Sequence, residues 1–524
     1  MIKLICLLIK LNLIKKMAIK AGIVFSYLQL PDVSQFPFVI SKRMDNRFIQ
    51  KGLFVYTHSN EGFLIGIIER IILLNEYFSD ALTIKAYNTN NNPNILKGLF
   101  PSEDFEFAIA IVKCLGIVKF KNNSKTNIEK IMRMTYPASP GREVYIVEED
   151  LLNEFIGFDK DKGLNLGKAK VTNTYAKINM NRLLNKHFAI LSISGGGKSY
   201  LTSVLIEELL KREEDYGTPA IILFDVHGEY LYLNKVPELK DRVSIQDVSY
   251  FQISVPKMPL YSFRKYQENI SNVQIRELAK FIKKLKKDDK KKNGFTIGDI
   301  IDQLENELDG NKNTRQALIG WLSDLERLTL FGSQENPILD NIIEKQKITI
   351  FNLQKEISIR KKQIMLDYIC NRLFNLRRLD KIPPFLLIIE EAHQFSPEAA
   401  HSKAISKPII EMIAREGRKF MACLCLISQR PKKLSTTALS QCNSKMVLNI
   451  KNPYDLKHLM DSSEAITKEY ANMISSLGVG EMLLMGTAVN YPIFIDVRER
   501  NYRSETEEIS LAQVCLNWEN KQLK

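Results

Sequence analysis

FAILSISGGGKSYLTSVLIEELL, residues 188–210, carries three signals in succession. Phe188 to Leu191 is a short continuous apolar run of the kind found in a strand buried on both faces. Ser192-Ile193-Ser194-Gly195-Gly196-Gly197-Lys198-Ser199 is a glycine-rich turn, and the following residues repeat apolar positions at helical spacing. Strand, glycine loop and helix in this order form a phosphate-binding loop. Successive glycines let backbone N–H groups turn inward around phosphates at the positive end of a helix. Lys198 is expected to reach the β- and γ-phosphates, and the Ser199 hydroxyl to sit on Mg²⁺. Ser194, Gly195, Gly196, Gly197 and Tyr200 complete the candidate nucleotide-binding set. Ser192 stands where a glycine usually begins the motif.

Further continuous apolar runs lie at 220–224 (AIILF), 348–351 (ITIF), 385–389 (FLLII), 423–427 (CLCLI) and 446–450 (MVLNI). They read as buried parallel strands flanked by helices, and 482–485 (MLLM) and 493–497 (IFIDV) add two more, giving an α/β fold class. Three of these strands end on chemistry. FLLII runs into Glu390 and Glu391. A phosphate-loop enzyme needs one acid to hold Mg²⁺ through its water shell and another to polarise the attacking water. Glu390 is assigned to the metal and Glu391 to the water. CLCLIS delivers Gln429 to a strand's carboxyl end, where it is placed to sense a γ-phosphate. AIILF leads to Asp225, His227 and Glu229; the two acids are expected to support the site, and His227 to be a turn or packing residue rather than a ligand, because no second His or Cys lies at metal spacing. Upstream of Gln429, Arg415 and Arg418 are expected on one helix face, three residues apart. Either an ion pair or reach into a neighbouring subunit's site accounts for them.

The chain before this core has a different texture. Between Gly22 and Val147, short apolar runs alternate with Asn, Gly, Pro and Ser clusters, which predicts a small β-barrel. Asn88 to Asn94 reads as a loop within it. Between Tyr261 and Phe331 the strand signal lapses. Ile297, Ile300, Ile301, Leu304 and Leu308 fall at helical spacing behind a Thr296-to-Asp299 capping pattern, and Leu318, Trp321, Leu322, Leu325 and Leu328 repeat the stripe. A helical insertion follows, with KKLKKDDKKK (283–292) expected as a solvated loop or a DNA contact. The expected limits are an extension over 1–20, a barrel over 21–165, an α/β domain over 166–500 with an insertion at about 261–335, and a tail over 501–524.

A chain of 524 residues is too long for one core. Its net charge of +14 attracts polyanions but says nothing about fold. Seven cysteines without a CxxC pair argue against a disulfide framework or a zinc site, and for a reducing, cytoplasmic compartment. The opening MIKLICLLIKLNLIKK is broken by Lys10, well short of the ~20 apolar residues that span a bilayer. Met17 is a second candidate start, and no other stretch is apolar enough to suggest a membrane protein.

Taken together, NKHFAILSISGGGKS, FDVHGEY, IIEEAHQF, AREGRKF, SQRP, ALSQCN, NPYD and GVGEMLLMG…YPIFIDVR resemble the HerA family of hexameric DNA translocases related to FtsK. The likeness spans roughly Leu183 to Arg498. It implies a RecA-like core, ATP sites between the subunits of a homohexamer, and double-stranded DNA in the central channel. It also implies a NurA-type nuclease partner that docks on the barrel in DNA end processing. Lys186 occupies a place where the family often has an arginine near the phosphates. Lys432 and Lys433 are DNA contacts or simply residues of an exposed loop. HerA-like motors also work with other effector nucleases in phage defence, which is the alternative role; a nucleotide switch without translocation is another.

Overall fold

The computed structural model describes residues 19–26, 30–41, 49–75, 106–121, 128–291, 294–307, 311–398, 403–462 and 466–502, with isolated residues at 78, 81, 84, 85, 512 and 515. The expected loop at 88–94, the opening sixteen residues, Met17 and most of the C-terminal tail lie outside them. The chain divides into two compact units, Met1–Asp161 with Lys168–Ala176, and Lys162–Gly167 with Lys177–Lys524.

The first unit holds strands β1 (Lys20–Val24), β2 (Gln35–Ile40), β3 (Phe54–Ser59), β4 (Gly62–Asn75), β5 (Glu106–Phe120), β6 (Ile128–Met132) and β7 (Glu143–Ile146). Their order is β2-β1-β7-β3-β4-β5-β6, and β2 also pairs with β5. That extra pairing closes six strands into a barrel and removes the exposed edges an open sheet would leave. Phe36, Phe38, Val55, Leu64, Ala110, Val112 and Ile117 fill it. Strand β6 hangs on β5 outside the ring. Its sequence, IEKIM, is half-exposed along its length, which is why it lacks the apolar run that marked the other six.

The second unit adds β8 (Leu164–Ala169), β9 (Tyr175–Ile178), β10 (His187–Leu191), β11 (Ala220–Asp225), β12 (Val243–Asp247), β13 (Ile253–Ser254), β14 (Phe331–Gly332), β15 (Ile348–Asn352), β16 (Phe385–Ile389), β17 (Ala422–Ser428), β18 (Cys442–Val447), β19 (Glu481–Gly486) and β20 (Ile493–Val497). One sheet runs β12-β15-β11-β16-β17-β10-β18-β19-β20-β8-β9. From β12 to β18 all pairings are parallel. The central strands are fully buried, as their unbroken apolar runs require. Cys423 and Cys425 are ordinary buried residues of β17. The two C-terminal strands differ from expectation: β19 is antiparallel to β18, and β20 to β19. A parallel neighbour needs a crossover of a dozen or more residues. The link from Gly486 to Ile493 is too short for one, so β19 and β20 make a hairpin; the longer stretch from Val447 to Glu481 does not by itself fix the sense of β19.

Between β13 and β14 lie the inserted helices Leu260–Tyr266, Asn272–Lys287, Ile297–Asn306 and Lys312–Glu326. The capping pattern forms as read: Thr296 Oγ1 accepts from the Asp299 amide, and Asp299 accepts from the Thr296 amide at 2.7 Å. Leu318, Leu322 and Leu325 are buried; Leu308 lies outside the described residues. The lysine run is not wholly a loop. Lys283 to Lys287 belong to the helix Asn272–Lys287, because Leu278, Phe281, Ile282 and Leu285 extend its apolar face that far. No described helix is long and apolar enough to cross a membrane.

Candidate nucleotide site

The loop 192–197 is pinned between strands. The Ser192 amide donates to the Ser428 carbonyl at 3.3 Å and the Ile193 amide to the Asn449 carbonyl at 3.0 Å. Ser192 is fully buried, and its hydroxyl donates to the same Asn449 carbonyl at 3.3 Å. This explains the departure from glycine at that position: the hydroxyl ties the ends of β10 and β18 together. A Cβ on Gly196 would stand 2.0 Å from that hydroxyl oxygen, so Gly196 must be glycine. Gly195 and Gly197 adopt φ of +73° and +94°, a left-handed region that L side chains rarely enter. Their turn opens directly into the helix Lys198–Lys211.

Lys198 Nζ donates to the Ile193 carbonyl at 3.1 Å, curling its head over the loop. Burial lowers its pKa, against the opposing pull of Glu391, Glu229 and Glu390. Those acids lie just past the ends of β16 and β11. Glu390 and Glu391 follow β16 directly, as expected. Glu391 takes φ +48°, a strained conformation of order 1 kcal/mol that turns its side chain out of the strand direction. One oxygen of its carboxylate accepts from Gln429 Nε2 at 3.1 Å and lies 3.3 Å from His393 Nδ1. Burial raises the Glu391 pKa, with Lys198 and Gln429 opposing.

Glu390 Oε2 accepts from the Val226 amide at 2.9 Å and the His227 amide at 3.4 Å. Burial first, then the charges of Asp225 and Glu229, hold its carboxyl well above the ordinary carboxylate range. Asp225 is itself buried and accepts from the amides of Gly228, Glu229 and Tyr230 at 2.7, 3.1 and 3.1 Å. It shapes the turn that brings Glu229 toward Glu390, and His227 is an exposed residue of that turn. A cation beside Glu390 would favour the charged form that burial and its acidic neighbours disfavour. Among the described residues no three His, Cys, Asp or Glu side chains already converge on a metal point. One acid with the Ser199 hydroxyl is a donor set that suits Mg²⁺, which keeps several of its waters.

His393 and Ser428 went unread in the sequence. His393 Nδ1 lies 3.1 Å from Ser428 Oγ, and that oxygen accepts from the Arg430 amide at 3.0 Å. Burial lowers the His393 pKa to about 4, with Arg430 and Lys433 adding to it, so the ring is neutral at pH 7. It braces Glu391, whose carboxylate lies 3.3 Å from its Nδ1.

Three predicted residues are not brought to the loop within one chain. Lys186 precedes β10 and so stands at the opposite end of that strand, roughly 16 Å away at ~3.3 Å per residue. Arg415 closes the helix Lys407–Glu416, whereas Arg418 sits on a separate 3₁₀ turn, Gly417–Phe420, and does not share its helical face. At Glu416 φ widens to −113° and the helix tightens into the 3₁₀ turn, where Gly417 packs so closely that a Cβ would meet the Ala422 carbonyl at 2.5 Å. Both arginines are exposed; Arg415 lies 3.9 Å from Glu411. With Lys186 they gather where β10 and β17 begin, not where those strands end.

The same edge holds a titrating group. His187 is buried, and its Nδ1 accepts from the Leu424 amide at 3.0 Å. Burial lowers its pKa to about 4 from the usual 6.5. Between those values the unfolded chain binds the proton and the folded chain does not. This stability contribution is therefore complete above pH 6.5 and is lost as pH falls toward 4, by on the order of 3 kcal/mol. Urea unfolding of wild type and His187→Asn between pH 4 and 7 should show a shallower pH dependence in the variant; parallel curves would mean that His187 is not the group.

Comparisons with known proteins agree in direction. Residues 164–373 match a family model described as "Helicase HerA, central domain". The chain is 28% identical to a probable helicase of Methanocaldococcus jannaschii over 92% of this chain and 97% of that protein. It is 26% identical to the DNA double-strand break repair helicase HerA of Pyrococcus furiosus, over 85% of this chain and 87% of that one. Among solved structures, VirB4 of Thermoanaerobacter pseudethanolicus superimposes with a TM-score of 0.50 at 14% identity, covering 66% of this chain and 99% of its own. That likeness is one of fold, a RecA-like core.

Proposed function

Because the chain belongs to the HerA family, we propose that it is an ATP-hydrolysing DNA helicase or translocase that works in the cytoplasm as a homohexameric ring around double-stranded DNA. The observation that carries this reading is the convergence of Lys198, Glu391 and Gln429 at one end of the sheet. Lys198 and the amides of 195–199 grip the phosphates, and Tyr200 adjoins them. Ser199 and Glu390 hold Mg²⁺, which when bound neutralises charge on the β- and γ-phosphates. Glu391, braced by His393 and Gln429, orients the attacking water; Gln429 reports the γ-phosphate through its bond to Glu391. Asp225 and Glu229 support Glu390.

Lys186, Arg415 and Arg418 stand at the far end of the strands, so they serve the site of an adjacent subunit. Mixing Arg415→Ala or Arg418→Ala protein with Lys198→Ala protein should then recover hydrolysis, because mixed rings contain junctions with both parts intact. Absence of recovery despite demonstrated subunit exchange refutes action across subunits.

The double-strand break repair role named for the Pyrococcus relative suggests DNA end processing with a NurA-type nuclease docked on the barrel. Contacts to DNA are largely to phosphates, so binding weakens steeply with salt. Native mass measurement, with ATPase rates in the presence and absence of linear duplex, tests the whole reading. A hexamer stimulated by DNA is expected; a DNA-indifferent monomer overturns it.

A further inference from the structure

The C-terminal residues 498–502 lie as a strap along the helix that begins with Lys198. Glu207, at 0% exposure, anchors them. It accepts from the Asn501 amide at 3.0 Å, the Tyr502 amide at 3.1 Å, Asn501 Nδ2 at 2.8 Å and Arg498 Nη1 at 3.1 Å. A fully buried carboxylate with this many donors fixes the backbone that supplies them. Arg500 is thereby held in one place. Its amide donates to the Tyr200 hydroxyl at 2.9 Å, and its guanidinium lies 4.6 Å from the Tyr200 ring centre and 5.8 Å from that of Tyr232.

On another rim of the phosphate loop is a short glycine turn, Gly478-Val479-Gly480. The Gly480 amide nitrogen is 3.9 Å from where a Cβ on Gly197 would stand. The Val497 amide donates to the Gly480 carbonyl at 2.8 Å, tying this turn to the end of β20, from which the strap departs. Val479 is 83% exposed. An apolar side chain held in solvent beside a phosphate loop has no packing role in the single chain. Phosphates gripped by 195–199 must send the rest of their molecule past one of these rims.

We propose that Val479, Tyr200 and Arg500 form a nucleobase site beside the phosphate loop, with Val479 as an apolar wall and the Arg500 guanidinium, backed by Tyr200 and Tyr232, as a flat platform. It rests on the reading of 192–199 as a phosphate loop. A guanidinium plane stacks on any aromatic base, and an apolar side chain packs against its face. Glu207 acts on this site only by positioning the strap.

The test is calorimetric titration of the full-length chain with ATP and with inorganic tripolyphosphate, each with Mg²⁺. Tripolyphosphate offers the loop its charge but has no base. Arg500→Ala should weaken ATP about tenfold and leave tripolyphosphate unchanged. Arg500→Lys, which keeps the charge and loses the plane, should resemble alanine. Val479→Ser, at an exposed position that cannot unsettle the fold, should weaken ATP severalfold and spare tripolyphosphate. Equal weakening of both ligands, or unchanged ATP affinity in Arg500→Ala and Val479→Ser, overturns the base site while leaving the phosphate loop standing. Failure of the wild type to bind either ligand overturns the phosphate loop and the base site together.

Discussion

Lys198→Ala should lose ATP hydrolysis by about 10²–10³-fold or more while unfolding at the temperature of the wild type. The two halves of this expectation have separate physical causes. In the free protein the ammonium donates to the Ile193 carbonyl, and burial disfavours its charge. Removing it therefore relieves a desolvation penalty as it removes a bond, and little net stability changes. With a triphosphate bound, the same ammonium is the charge nearest the transferring group, and nothing else on the loop replaces it. Steady-state ATPase rates and thermal melts of the two proteins settle the matter. A variant that hydrolyses normally, or that fails to fold, contradicts the assignment.

The second large effect is on the water rather than the phosphates. Glu391→Gln should bind nucleotide with near wild-type affinity and slow turnover by roughly 10²–10⁴-fold, the usual contribution of a positioned base. The substitution is nearly isosteric, and the glutamine oxygen can still accept from Gln429, whose bond to Glu391 is 3.1 Å long. The backbone at φ +48° is retained, so the loss isolates basicity from geometry. Affinity measured by titration and rate measured in a single turnover should diverge; unimpaired turnover would move the role to Glu390 or to another group.

The parts of this site legible in the sequence are those whose chemistry is continuous along the chain. Three glycines, Lys198 and Ser199 after an apolar run specify strand, turn and helix by local sterics alone. Glu390 and Glu391 stand out because paired acids contradict the buried strand they end. His393 is different: two residues past Glu391, it reads as one histidine in AHQF, and its meaning comes from Ser428 and Glu391 approaching it in space. Arg418 does not share the face of Arg415 because the i, i+3 rule holds only while the α-helix lasts, and this one gives way to a 3₁₀ turn at Gly417. The direction of β19 and β20 does not show in their composition, which suits either sense; the short connection between them carried the information for β20 alone, since the long stretch between β18 and β19 allows either sense. Six barrel strands were readable from their apolar runs, while β6, with its charges, was not.

The sheet ends where the second unit begins. Strand β8 lies next to β20, the Arg498 amide donates to the Leu166 carbonyl at 3.0 Å, and a Cβ on Gly167 would fall 2.0 Å from the Asp496 carbonyl oxygen. A ribosome makes the first of these partners more than three hundred residues before the second. Until then the nascent domain carries an unmated edge, a template for pairing with another chain. Closing so wide a span is entropically slow. Loss of β20 would thus leave β8 without its mate, and a frameshift just before Ile493 would harm this fold as surely as one before Leu164.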